Sequence, residues 1–565
     1  MKFQIAILIT LCASSLTTAA TTNLVEQALV SEVVYVESPT DTNRDGKLDR
    51  IYVSISRPST DQKLSSIFQI TPYAQGGNDG PMHTVDVDLL PQDEELMKGF
   101  SPEVKDLYSN LRKSFKNLDT PFVSDAVKYA QVSAHSVGTG KSTGCPTVGD
   151  MAETLAAKSV IDWLNGRARA FREDGTEAKA DWANGNVGMT GTSYNGTLPI
   201  MVATTGVEGL KAIVPVAAIS NWYNYYRANG LVVNPGGYIG EDADVLGFFI
   251  MRKGDCKAEL TRLTETMGRE HGDFTQFWQD RDYLPKVKNI KAATFIIHGQ
   301  NDWNVKQKHA IELWEALEGV APRRIFLHRG GHGSTGSHGV PKKLQAWFDH
   351  FVEGIDNDVT NGPQVEVEMP DGSLMVQNEW PHENTNGLRL YLGSQAALTS
   401  SASSTEQMSF VDSGKSQRME SLAENPTETR AGRLVFLTAP MAKKTVLSGT
   451  SRVSLNFSVS NRKAANITVS IVEYDANGRS KIITRGWADA QNHNDITQGE
   501  LLVPGKSYQI SFDLEPKQAQ IAAGSRIGVL VASTDYEYTF RPKAGTEVQV
   551  NLGSQSFVEL KLSNQ

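Results

Sequence analysis

The sequence predicts an α/β domain on a mostly parallel sheet, broken by a helical insertion and followed by an all-β sandwich. Three observations carry this. From about Glu32 to Gly354 short apolar runs alternate with helical segments, the pattern of a parallel sheet covered on both faces. From Asn221 to about Pro285 the alternation stops, and aromatic and charged residues take over without a clear strand. After Gly362-Pro363 the hydropathy changes to period two, as half-buried antiparallel strands require.

Taken in order, residues 1–20 read as a secretory signal. Lys2 gives a positive start, Ile5 to Leu11 an apolar run, and Thr18-Ala19-Ala20 a small-residue cleavage site. Leu11 is too large for the residue that precedes a lipidated cysteine, so Cys12 is not read as a lipoprotein box. The apolar run falls far short of the ~20 residues that cross a bilayer, and no later segment comes close. The mature chain is expected to begin near Thr21 and to reach the periplasm or the extracellular medium. Cys145 and Cys256 then share an oxidising compartment in which pairing is permitted. Two separate buried thiols are the alternative reading.

Asp41-Thr42-Asn43-Arg44-Asp45-Gly46 and Asp49 resemble a calcium loop, but its twelfth position is Tyr52 where a bidentate acid belongs. Because Ile51 to Ile55 read as a strand, a polar turn is the preferred assignment. Val187-Met189, Ile213-Val216, Thr294-Ile297 and Arg324-Leu327 are buried-strand runs, and Met151 to Leu164 is a helix. Leu344, Trp347, Phe348 and Phe351 fall on one helical stripe that Gly354 can end. In the last third, Val453 to Val459, Ile467 to Ile471, Tyr508 to Leu514 and Ile527 to Val531 alternate, with a hairpin turn at Asn477-Gly478. The resulting division is a signal at 1–20, an α/β domain at 21–220 and 289–362, a helical cap at 221–288 and a jelly-roll-type sandwich at 363–565.

At 565 residues the chain exceeds what one core supports. A formal charge of -9 leaves no basic footprint for nucleic acid.

Chemistry concentrates in three loops. Gly191-Thr192-Ser193-Tyr194-Asn195-Gly196 follows a strand and precedes a helix, the context of a nucleophile elbow. The second glycine of the generic motif is replaced by Asn195, with Gly196 one place later. Asp302 follows the strand ending at Ile297, and His332 follows the strand ending at Leu327 through Gly330-Gly331. Ser193, Asp302 and His332 thus keep the chain order and loop positions of the α/β-hydrolase fold. Ser193 is the nucleophile, His332 the general base and Asp302 the acid that orients it. His328 and His338 are local rivals for the base.

The chain resembles the X-prolyl dipeptidyl aminopeptidase family of serine peptidases. The resemblance rests on VIDWLNGRAR from Val160, WANGNVGMTGTSYNG ending at Gly196, NWYNYYRANGLV from Asn221, PGGYIGEDADVL from Pro235, QFWQDRDYL ending at Leu284 and HGQNDWNV from His298. It implies the same triad and no cofactor. It further implies that Tyr73 joins the backbone N–H of Tyr194 in the oxyanion hole, that Trp222 and Tyr225 wall a proline pocket, and that Glu241 pairs with a substrate ammonium. The implied reaction is release of Xaa-Pro dipeptides from free amino termini, with peptides carrying proline at the second position as partners. An esterase or acylase on the same scaffold is the alternative, followed by a non-catalytic secreted binding protein. Large members of that family carry an amino-terminal helical domain for which only a short mature segment is left here. The stretch from Gly333 to His338 is more polar than the family leads one to expect and alters the rim of the site.

Overall fold

A computed structural model describes residues 28–74, 77–78, 80, 82–86, 128–252, 254, 256–333, 337–402, 404–414 and 417–564. The expected signal at 1–20 lies outside the described residues.

The first sheet is built from β1 (Leu29–Glu37), β2 (Arg50–Pro58), β3 (Leu64–Thr71), β4 (Ala130–His135), β5 (Ala170–Phe171), β6 (Glu177–Ala178), β7 (Ala183–Thr192) and β8 (Leu210–Val216). A two-stranded hairpin follows, β9 (Arg227–Ala228) and β10 (Leu231–Val232), outside the sheet. The sheet then resumes with β11 (Ala293–Gly299), β12 (Arg323–His328), β13 (Val365–Glu368) and β14 (Leu374–Gln377). Its order is β14-β13-β12-β11-β8-β7-β3-β4-β2-β1-β5-β6. The centre, from β13 to β4, is parallel.

Alternate residues of the central strands serve two cores, which is why the strands read as unbroken apolar runs. Ile213, Ile296 and Ile325 join the core that includes the helix Met151–Leu164. Val214, Phe295, Ile297 and Phe326 meet Leu344, Trp347 and Phe348 of the helix Val340–Phe351 on the other face. Asp150 starts the first of these helices by accepting from the Ala152 and Glu153 amides, the usual way to satisfy orphan donors.

The strand pair β13–β14 lies just past the boundary expected after residue 362. Residues 365–377 belong to the first sheet, with β13 parallel to β12 and β14 antiparallel to β13, and Trp380 joins the first core. The second sheet system starts at Asn386–Gly393 and ends at Phe557–Asn564. Its core takes Val453, Leu455, Phe457, Ile467, Val469 and Ile471, the residues of the period-two pattern. The turn at Asn477-Gly478 is present, with Asp475 accepting from the Asn477 and Arg479 amides and Gly478 at φ 80°.

The insertion is mainly helical, with helices Trp222–Tyr226, Ala243–Ile250, Lys257–Thr266 and Gln276–Gln279, and the β9–β10 hairpin is an addition to the expected pattern. Cys145 and Cys256 are joined in a disulfide that ties the loop after β4 to the start of a cap helix. Separate thiols, the alternative reading, are therefore excluded in this structure. At Asp41 to Asp49 the carboxylates turn inward on their own loop. Asp49 Oδ2 accepts from the Thr42 amide at 2.8 Å and hydroxyl at 2.9 Å, and Asp41 accepts from the Asp45 and Gly46 amides, as in a polar turn. Among the described residues no helix is long and apolar enough to cross a membrane.

Candidate active site

The turn from β7 into the helix Tyr194–Ala203 places Ser193 at φ 63° and ψ −129°. This is a strained conformation for a residue with a side chain and typical of functional turns. The backbone is pinned there, since the Ser193 amide donates to the Val216 carbonyl at 2.8 Å. Close approach explains both glycines. A Cβ on Gly191 would lie 2.3 Å from the Asn195 carbonyl oxygen, and one on Gly196 would lie 2.6 Å from that of Gly191. Position 195 faces no such limit, which is how Asn195 replaces the expected glycine. As the first residue of its helix, Tyr194 has an amide with no intrahelical acceptor, suited to an anion.

Asp302 follows β11 and its side chain is fully buried. One oxygen accepts from the Asn304 and Val305 amides at 3.0 and 2.9 Å, and the other meets His332 Nδ1 at 2.7 Å. That leaves His332 Nε2 as the working nitrogen on a ring that is 29% exposed. The loops are interlocked, because a Cβ on Gly299 would lie 2.2 Å from the Gly331 carbonyl oxygen. The rivals are occupied elsewhere. His328 accepts from the Gly330 amide and lies 3.1 Å from the Gly333 carbonyl, and His338 faces Glu368 at 3.4 Å. Ser193, Asp302 and His332 stand at the carboxyl ends of β7, β11 and β12.

Tyr73 follows β3, and its ring meets the Tyr194 ring edge-on at 6.2 Å. Burial, with Glu241 nearby, holds its hydroxyl protonated far above the usual tyrosine range, so at neutral pH it is a donor. The Tyr194 side chain is fixed from behind, its hydroxyl donating to Glu153 Oε2 at 2.6 Å. Glu153 also accepts from the Ser136 hydroxyl and the Gly149 amide.

Glu241 is 7% exposed and accepts from the Tyr226 hydroxyl at 2.9 Å. Burial pushes its carboxyl up to about 7, against the hydrogen bond from Tyr226 and helped by Asp242. Its charge is felt by Tyr73, Tyr225 and Tyr238, and Asp302 acts on Tyr225 and Tyr238 as well. A chain of contacts links Glu241 to the Asp302 loop: Tyr226 donates to Glu241, its ring meets that of Tyr225 at 4.6 Å, and the Asn304 amide donates to Asp302. Asp242 beside it is fully buried between Arg227 at 2.9 Å and Arg269 at 3.0 Å, which anchors the segment.

Tyr225 donates to Asn304 Oδ1 at 2.8 Å. The Trp222 ring is 0% exposed, edge-on to Tyr194 at 4.8 Å and Tyr225 at 5.8 Å, with its N–H donated to the Tyr283 hydroxyl. It backs the wall and offers a ligand no surface in this state.

Four residues of this neighbourhood escaped the sequence reading: Glu153, Tyr226, Tyr238 and Asn304. Glu153 carried a signal, since it falls on the stripe of Ala156, Ala157, Val160, Ile161 and Leu164, where an acid on an apolar helix face implies a buried partner.

The carboxyl-terminal sandwich reaches this region. Trp303, next to Asp302, packs against Tyr538 at 5.7 Å and Trp487 at 6.3 Å, and Asn229 of the cap donates to the Trp487 carbonyl at 2.8 Å.

Residues 45–334 match the X-Pro dipeptidyl-peptidase (S15 family) profile, and residues 357–560 that of the X-Pro dipeptidyl-peptidase C-terminal non-catalytic domain. A Bacillus anthracis relative is 42% identical over 537 residues, 93% of this chain and 87% of that protein. The Xaa-Pro dipeptidyl-peptidase of Streptococcus thermophilus is 32% identical over 594 residues, 94% of this chain and 78% of its own length. Among solved structures, a CocE/NonD family hydrolase from Staphylococcus aureus aligns with a TM-score of 0.67 at 17% identity, over 97% of this chain and 99% of that one. An α-amino acid ester hydrolase aligns at 0.65 and 16%, over 97% and 100%. These two establish the fold. With matches to both profiles and relatives aligned over nearly its whole length, the chain belongs to the X-Pro dipeptidyl-peptidase family, S15.

Proposed function

We propose that the protein is an exported serine exopeptidase that releases Xaa-Pro dipeptides from the free amino terminus of peptides through an acyl-enzyme on Ser193. The observation that carries the reading is the buried Glu241 carboxyl, linked through Tyr226, Tyr225 and Asn304 to the loop that carries Asp302. A carboxylate kept from water costs stability unless a cation answers it, and a substrate α-ammonium is such a cation. Held at a fixed distance from Ser193, it accepts an amine only when two residues separate that amine from the scissile carbonyl. The family membership supports proline as the second of them.

In this scheme His332 takes the Ser193 proton as Oγ attacks, while Asp302 holds the ring in the required tautomer. The oxyanion forms against the Tyr194 amide and the Tyr73 hydroxyl, the two donors this reading assigns to it. His332 then passes its proton to the leaving amine, and water repeats the sequence to free the dipeptide. The Cys145–Cys256 disulfide supports an oxidising destination, periplasmic or extracellular. N-terminal sequencing of exported protein is expected to start near Thr21.

The deciding experiment pairs a phosphonate probe with chromogenic amides. The probe is expected to label Ser193. Ala-Pro and Gly-Pro para-nitroanilides with free amines are expected to be cleaved, and their N-acetylated forms poorly. Faster turnover of acetylated amides or of simple amino acid esters would favour the esterase or acylase reading.

A further inference from the structure

Across the carboxyl edge of the sheet the loops follow strand order: Tyr73 after β3, Ser193 after β7, Asp302 after β11, His332 after β12 and Glu368 at the end of β13. A general acid must reach the nitrogen it protonates. On the dipeptidyl reading, the chain beyond the scissile bond therefore departs on the His332 side, away from Glu241.

A cavity of about 640 Å³ lies on that side, within the size range of ligand pockets. The loop Arg329 to His332 forms one wall, and Lys481, Ile482 and Lys517 of the sandwich contribute to another. Its one lining carboxylate among the described residues, Glu368, is already answered by Arg329 at 3.7 Å and His338 at 3.4 Å. Lys517 donates to the Gln300 carbonyl and to Asn301 Oδ1 at 3.0 Å. An ammonium has three N–H bonds, so one remains for a ligand. Lys481 is exposed on the same wall. The cavity thus carries an excess of positive charge beside the general acid.

We propose that this cleft, on the dipeptidyl reading, is a leaving-peptide subsite that prefers a carboxylate within the two residues beyond the scissile bond. The carboxylate is an acidic side chain or the terminal carboxylate of a short peptide. Both sources present the same group to Lys481 and Lys517. The sandwich then takes part in selecting the substrate.

The test compares kcat/KM for four peptides: Ala-Pro-Ala-Glu, Ala-Pro-Ala-Gln and Ala-Pro-Ala-Lys with amidated ends, and Ala-Pro-Ala-Gln with a free terminal carboxylate. At low salt the Glu peptide is expected to exceed the Lys peptide about three- to fivefold, as suits half-solvated charge pairs, and added salt should narrow the gap. The free-acid peptide against its amide reads the terminal source separately. Lys481→Glu is expected to reverse the Glu-over-Lys order, and Lys517→Gln to narrow it. Charge-blind wild-type enzyme, or an unaltered order in both variants, would overturn the subsite. Ala-Pro para-nitroanilide has no residue beyond the scissile bond. Wild-type failure on it would count against the dipeptidyl reading, whereas its cleavage alongside charge-blind peptides would count against the subsite alone.

Discussion

Glu241→Gln separates function from stability at one atom pair. The carboxyl sits near 7 because burial disfavours its charge, so the native state holds a proton that the unfolded chain releases in the ordinary glutamate range. Stability from this group therefore falls as pH rises from about 4 to about 7 and stays low above. A displacement of that size corresponds to roughly 3 kcal/mol against the ionised native form, and relaxation around the site brings the expected effect to about 1–3 kcal/mol. Glutamine keeps the acceptor for the Tyr226 hydroxyl and removes the charge. The variant should be more stable than the wild type at pH 8 by that amount, with the difference vanishing near pH 4. Urea unfolding at the two pH values reads this directly.

Activity should move the other way. Losing one partner of a buried charge-assisted pair costs about 2–5 kcal/mol, so kcat/KM for free-amine Xaa-Pro amides should drop about 30- to 5000-fold in Glu241→Gln. Acetylated amides, already poor, should change little. In the wild type, kcat/KM should fall below pH 7 as Glu241 takes up its proton. The bound ammonium favours the carboxylate, so the corresponding limb in kcat should lie lower. Equal slowing of free and acetylated substrates, or a variant no more stable at pH 8, would refute the assignment of Glu241 as the amine's partner.

Ser193→Ala should remove at least ~10³ of turnover with the fold intact. Ser193→Gly, equally inactive, should be more stable than Ser193→Ala by about 1 kcal/mol, because φ 63° suits glycine. Tyr73→Phe should lower kcat about 10²- to 10³-fold with KM little changed, as loss of an oxyanion donor does. The native mature protein should not react with thiol reagents, and Cys145→Ser should cost about 2–5 kcal/mol by releasing a closed loop of 111 residues. Fast labelling of both cysteines in folded protein would contradict the disulfide.

What the sequence could show depended on how local each cause is. Elbow and triad loops are set by a strand, a few glycines and one polar residue, all near one another in the chain, so their positions were readable. The shift from Asn195 to Gly196 became intelligible only with the backbone approach to Gly191. The pairing of Val365-Glu366-Val367-Glu368 with β12 was not legible, because its sequence alternates like that of a sandwich strand. Composition cannot tell a ring that lines a pocket from one that backs it, so the full burial of Trp222 was not legible in the sequence. The disulfide joins residues far apart in sequence, and no periodicity encodes such a contact.

The sandwich matches a profile named non-catalytic, and no residue of it belongs to the triad. Its packing nevertheless bears on the acid's position. Arg485 lies over the Trp303 ring at 5.0 Å and is held by Asp535 at 3.1 Å, which also accepts from Trp487 Nε1 at 2.9 Å. Trp303 cannot shift without disturbing this buried set, and Asp302 is its neighbour in the chain. Lys517 grips the same loop from the other side through Gln300 and Asn301. A carboxylate that must stay within hydrogen-bond reach of His332 tolerates little drift. The second domain therefore helps to fix the loop that carries Asp302.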